Sequence, residues 1–254
     1  MNVRINKEKS IGKVLYIVEG NKTEALILYY IFCKIYDYQF ESILRGKGYH
    51  KYNSKENIMS QVFVINTEES NIKTIDKDND FLNNLYITLF EQYDFNVDNA
   101  AIYYLFDRDY QSNTDVLFIN KMISTLGNAR DNGGYDRQGL LLLSYPAIES
   151  FTLSNFEHHV FEERKETGKE LKQYLHSRHI NHQNITEESL MCAVRELWEA
   201  LQKIGKLKLD LDDLNYMIDS MMLLGSKGTT GTQASFLELF NGDHETIRKI
   251  DGKI

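Results

Sequence analysis

The sequence predicts an α/β fold: a mostly parallel sheet flanked by helices, with an all-helical C-terminal appendage. Three observations predict it. Short β-rich runs recur at Val14–Val18, Gln61–Ile65, Ala101–Phe106 and Leu140–Leu143. Helical periodicities separate these runs, which is the alternation that parallel strands need for their crossovers. After Glu149 only helical periodicities remain. The chain therefore reads as an α/β domain over 1–150 and a helical region over 151–254.

The elements follow in order. Val14–Val18 is apolar throughout, as a strand covered on both faces should be. Glu19-Gly20-Asn21-Lys22-Thr23-Glu24 forms a turn with capping residues, and a helix follows with a stripe at Leu28, Ile31, Phe32 and Ile35. Residues 45–57 read as a polar loop before the second strand. An acidic connection over 66–79 leads to a helix at Phe81–Glu91. The third strand ends in Asp107-Arg108-Asp109. A helix over Val116–Leu126 and a turn at Asn132-Gly133-Gly134 precede the fourth strand, which closes at Ser144-Tyr145-Pro146. Beyond it, Thr186 caps a helix through Leu190, Val194, Leu197, Leu201 and Ile204 to Gly205. A second stripe runs over Leu211, Leu214, Ile218, Met221 and Met222 to Gly225. A loop spans Gly225–Ser235, and a last helix starts near Phe236.

Composition bounds the function. The 254 residues are 42% hydrophobic and 26% charged, with one proline, which excludes collagen-like and low-complexity classes. No apolar run approaches the roughly 18–20 residues of a membrane helix, and MNVRINKEKS has no apolar stretch of a signal peptide. Cys33 and Cys192 make neither a disulfide framework nor a C-x-x-C site, so a reducing, cytoplasmic location is expected. The net charge of −8 is concentrated: residues 66–115 hold 11 acids and 3 bases, and the remainder is balanced. A uniformly basic nucleic-acid coat is excluded, whereas local basic patches and metal-assisted binding remain open.

The chemistry lies at the strand ends, where parallel α/β sheets gather ligands. Glu19 directly follows the first strand, Asp107 and Asp109 the third, and Glu149 lies just beyond the fourth. Carboxylates crowded in one crevice repel unless a cation offsets them. Mg²⁺ or Mn²⁺ suits an all-oxygen set, lowers the pKa of bound water and neutralises a phosphodiester's developing charge. Each feature has a plain structural reading as well. Aspartates after a strand are ordinary turn residues, and Glu149 is able simply to open a helix. Glu24 is equally a capping-box residue and a metal ligand. The joint placement at three strand ends favours the metal site.

These residues resemble a known family. VLYIVEGNKTE (Val14–Glu24) is similar to the opening motif of Toprim domains, and its Thr-Glu ending resembles the RloB-like and OLD-family Toprim nucleases of bacterial phage defence. IYYLFDRD (Ile102–Asp109) resembles the second Toprim motif, and LLSYPAIESF (Leu142–Phe151) a third, RloB-like motif of Ser-Asn-Pro-Cys-Phe-Glu. In the third motif Tyr145, Ala147 and Ile148 replace the family's Asn, Cys and Phe, and Ser150-Phe151 replaces Leu-Trp. The resemblance covers residues 12–155. It implies a Toprim-like fold and a Mg²⁺- or Mn²⁺-dependent endonuclease of DNA or RNA, tRNA included. Glu19, Asp107, Asp109 and Glu149 would be catalytic, with Glu19, Glu24, Asp107 and Asp109 holding metal. It also implies anti-phage defence, commonly beside a partner ATPase. A second copy of this chain is an open option, and no membrane is expected.

Other features weigh less. Lys22 and Arg108 are weak candidates for phosphate contact. Lys169 and Lys172 belong to a basic stretch over 164–182, the best candidate in the sequence for a phosphate-contacting patch, although a solvated helix face is the slightly favoured reading. His176, His179 and His182 have spacing unlike helical zinc sites, so a solvated polar loop is expected there. GSKGTTGT lacks P-loop spacing, so any ATPase must be another chain. Two rival functions stand beside the nuclease: a non-catalytic Toprim-like binding module, and an acidic-site phosphohydrolase with Asp107 as its nucleophile.

Overall fold

The computed structural model describes residues 5–7, 11–20, 22–42, 49–66, 79–97, 100–107, 140–144, 147–162, 165 and 167–203. Two compact units result: described residues of 11–106 with 140–141, and described residues of 5–7, 107 and 142–203. The class is α/β.

In the first unit, β1 (Lys13–Val18) is central. It pairs in parallel with β4 (Gln61–Asn66), Val18 opposite Asn66, and with β5 (Ala100–Asp107), Val18 opposite Leu105. With β2 at Gln39–Ser42, β3 at Tyr49–Asn53 and β6 at Leu140–Ser144, the strand order is β2-β3-β4-β1-β5-β6. Val14 to Val18 are all buried, which is what a central strand covered on both faces demands of its side chains. Helix α1 (Thr23–Tyr29) widens into a π-type turn over Tyr30–Ile35, where the Tyr36 amide donates to the Ile31 carbonyl five residues back. The expected stripe Leu28, Ile31, Phe32 and Ile35 is buried.

Two expectations are corrected here. The sheet is mixed rather than mostly parallel. β2 (Gln39–Ser42) and β3 (Tyr49–Asn53) pair antiparallel, and β3 pairs antiparallel with β4. The polar loop expected over 45–57 therefore contains a strand. Its segment YHKYN is polar, yet only alternate positions need burial in such a strand. Tyr52 is the fully buried position, against Phe40 and Phe32 with ring centroids 5.4 and 5.6 Å away.

Helix α2 (Asn79–Tyr93) lies where a helix was expected at Phe81–Glu91. It ends as Asp94 takes a positive φ of 50° and the Phe95 amide bonds back to the Leu89 carbonyl, which seats Phe95 4.1 Å from Phe63, centroid to centroid.

The second unit is helical after β6. α3 (Glu149–Ser154) is wholly buried, a short 3₁₀ turn spans Val160–Glu162, and α4 (Gly168–Ser177) starts at a Thr167 cap whose hydroxyl accepts from the Glu170 amide. Leu171 and Leu175 close a core with Leu153 and Val160. After a second 3₁₀ turn at His182–Asn184, α5 (Glu187–Lys203) begins as read from sequence. Thr186 Oγ1 accepts from the Ser189 amide and Ser189 Oγ accepts from the Thr186 amide, a capping box with serine in the reciprocal place. The stripe Leu190, Val194 and Leu197 is buried. The expected helix over 116–126, the turn at 132–134 and the elements beyond 203 lie outside the described residues. No described helix is long and apolar enough to cross a membrane.

Candidate acidic site

The end of β1 is held by one further ladder bond, from the Glu19 amide to the Leu105 carbonyl at 3.1 Å. This fixes the backbone of Glu19 at the carboxyl end of the parallel β1–β5 pair. Glu24, in the first turn of α1, is buried, and its Oε1 accepts from the Gly20 amide at 3.0 Å. Glycine leaves room for this contact, since a Cβ at position 20 would sit 2.6 Å from Glu24 Oε2 and 2.7 Å from Oε1 and the carboxylate would have to shift. Sequence left Glu24 open between cap and ligand. The structure shows it in a capping role toward Gly20, one residue earlier than a capping box over Asn21–Glu24 would reach. Lys22 is exposed, and its side chain makes no capping bond. Asn66, at the end of β4 opposite Val18, buries both polar side-chain atoms without a hydrogen bond to any described residue. In sequence it falls in the acidic connection expected over 66–79, whereas the strand in fact extends to Asn66.

In the second unit, Asp107 closes β5. Its Oδ1 accepts from the Ser144 hydroxyl at 2.5 Å and from the Ile148 amide at 2.8 Å. Ser144 is fully buried at the end of β6. Glu149 follows Ile148, is 6% exposed at the start of α3, and pairs with Lys172 of α4 at 3.3 Å from Oε1 to Nζ. Asp107, Lys169, Lys172, Gln173 and His176 line one cavity of about 620 Å³, with Ala147 and Gly168 completing its wall. Burial pushes the His182 imidazole below its usual range, and the charge of Glu149 pulls it the other way.

The histidines expected to occupy a solvated loop are thus divided. His176 lies within α4 on the cavity, His179 is an exposed turn residue with φ of 58°, and His182 is half-buried within electrostatic reach of Glu149. Ser144 and Gln173 were not singled out in sequence, and His182 was expected to be solvated. Ser144 meets Asp107 across 37 residues, a contact that no spacing rule announces. Arg108 and Asp109 lie outside the described residues.

The acids are chemically suited to a hard divalent cation, for they offer only carboxylate oxygen. The fixed orientation of Asp107 also suits a ligand, because two donors hold it through a single oxygen. Among the described residues, no group of three or more His, Cys, Asp or Glu side chains is gathered to hold a metal ion.

No protein-family model matches the chain, and no solved structure matches it. Short stretches are similar to adenylosuccinate lyases. One, from Schistosoma mansoni, is 45% identical over 49 residues, covering 19% of this chain and 10% of that protein. Another, from Saccharomyces cerevisiae, is 43% identical over 51 residues, covering 20% and 11%. The chain spans about a tenth of the length of these curated relatives.

Proposed function

We propose that the protein is a Mg²⁺- or Mn²⁺-dependent nuclease that hydrolyses phosphodiester bonds of DNA or RNA. The observation that carries this reading is the way Asp107 is held. An aspartate that merely shapes a turn bonds to its own backbone about two residues on. Asp107 is instead fixed by Ser144 and Ile148, 37 and 41 residues later in the chain. Metal-ligating carboxylates are themselves oriented by hydrogen bonds, and two distant donors on one strand-end carboxylate fit that pattern.

In this reading Glu19, Asp107 and Asp109 hold the metal, with Glu24 and Glu149 in support. The bound ion would supply an acidified water and offset charge on the phosphodiester. The chain's own residues have separate tasks. Ser144 and the Ile148 amide orient Asp107. Gly20 holds Glu24 over the β1–α1 turn. Lys172 offsets the buried charge of Glu149. The setting in phage defence and the partner ATPase rest on the Toprim resemblance.

The test is cleavage of plasmid DNA and of total tRNA with Mg²⁺, Mn²⁺ or EDTA, beside Glu19→Ala and Asp107→Ala. Metal-dependent cleavage lost in both variants is expected. Cleavage that survives EDTA, or that survives both substitutions, contradicts the proposal.

A further inference from the structure

One face of α4 is unexplained by packing. Lys169, Lys172, Gln173 and His176 stand at i, i+3, i+4 and i+7, a single stripe within about 100° of helix circumference. The opposite face is committed to the core through Leu171 and Leu175, packed with Leu153 and Val160. That packing fixes the rotation of the helix, and the rotation aims the stripe at the 620 Å³ cavity shared with Asp107.

Charge is only partly offset there. Lys169 and His176 form no ion pair with any described residue, and Lys172 shares its ammonium with Glu149 at 3.3 Å while remaining 61% exposed. An ammonium carries three donors, so one carboxylate contact leaves capacity for another oxygen ligand. The start of α4 also borders the cavity at Gly168, where the helix dipole favours negative charge. A side chain at 168 would press its Cβ to 3.1 Å from that of Ala147. The cavity volume is within the common range for small-ligand sites, about 300–1,000 Å³, and far exceeds one phosphate group.

We propose that this wall of α4 is a phosphate-binding site, in which Lys169, Lys172 and His176 with the Gln173 amide take the phosphate of a nucleotide or of a nucleic-acid strand. Binding here needs no metal ion and no turnover, so it stands or falls apart from the hydrolytic reading. Asp107 shares the cavity and opposes the bound anion when no cation is present.

The test is equilibrium binding to the full chain in EDTA. The probes are a fluorescent single-stranded dodecanucleotide and 5′-AMP, with adenosine as the phosphate-free control. Lys169→Gln with Lys172→Gln is expected to weaken binding roughly tenfold or more, and to lower the salt slope for the strand by about 0.7 per lysine removed. Lys169→Arg should retain affinity, and Lys55→Gln, whose ammonium pairs with Asp37 in the other unit, should change nothing. Asp107→Asn should tighten metal-free binding, an effect opposite in sign to its expected effect on cleavage. Lysine-dependent binding of AMP but not of the strand assigns the site to free nucleotides. Tighter, lysine-dependent binding of the strand assigns it to nucleic acid. Affinity unchanged in the double lysine variant, adenosine binding as well as AMP, or no binding of either phosphate probe overturns the proposal.

Discussion

Gly20→Ala should destabilise the protein, and Glu24 decides the sign. The new Cβ would meet Glu24 Oε2 at 2.6 Å and Oε1 at 2.7 Å, so the carboxylate must move and its bond to the Gly20 amide is lost. Glu24 is 5% exposed, so water replaces that bond poorly. A hydrogen bond to a charged group contributes about 1.5–3 kcal/mol. Against this, alanine narrows the unfolded ensemble and returns about 0.4–1 kcal/mol. That gain applies because Gly20 is not among the described residues with positive φ. The net loss is roughly 1–2 kcal/mol, and each kcal/mol moves Tm by roughly 2–4 °C in a chain of this size. The decisive comparison is a double-mutant cycle read by urea unfolding. In a Glu24→Ala background the clash and the bond are both absent, so Gly20→Ala should become stabilising by about 0.4–1 kcal/mol. Equal effects of Gly20→Ala in both backgrounds would refute the reasoning.

Three further outcomes are expected. Leu197→Ala, at a fully buried position of α5, should cost about 3–5 kcal/mol in urea unfolding, and a loss below about 1 kcal/mol would show that α5 is not packed as described. His50 and His182 are both held below their usual range by burial, so the neutral forms are favoured in the fold. Protonation then favours the unfolded chain. The stability they contribute is complete above about pH 6.5 and is lost as pH falls through their lowered values. NMR titration should place both midpoints below that of a free histidine, and replacing both by glutamine should flatten this part of the stability profile. Ser144→Ala removes one of the two donors that orient Asp107, so it should lower metal-dependent cleavage roughly tenfold or more while preserving the helical circular dichroism signal. Full activity in that variant would remove the orienting role.

The strongly patterned elements were legible. β1, β4, β5 and β6 announced themselves by apolar runs, and α5 by its Thr186 cap and apolar stripe. The β2–β3 hairpin was not, because Tyr52 is the single fully buried side chain in an otherwise polar segment. Missing it made the sheet look parallel. In the site, residue types were readable but partners were not. Sequence marked Asp107 and Glu149 as acids at strand ends. It gave no sign that Ser144 would orient the first or that Lys172 would pair with the second, since these contacts span 37 and 23 residues. Glu24 shows the converse, a local contact to Gly20 that capping rules anticipate to within one residue. The α4 stripe looked like a solvated face because sequence shows a helix's charges without showing the cavity that they border.

The most direct test of the strand-end carboxylates as a metal centre is calorimetric titration of Mn²⁺ into the wild-type chain, Glu19→Ala and Asp107→Ala. Saturable binding to the wild type that is lost in both variants is the predicted result. Wild-type protein that takes up no Mn²⁺, or variants that bind it unchanged, would contradict the account.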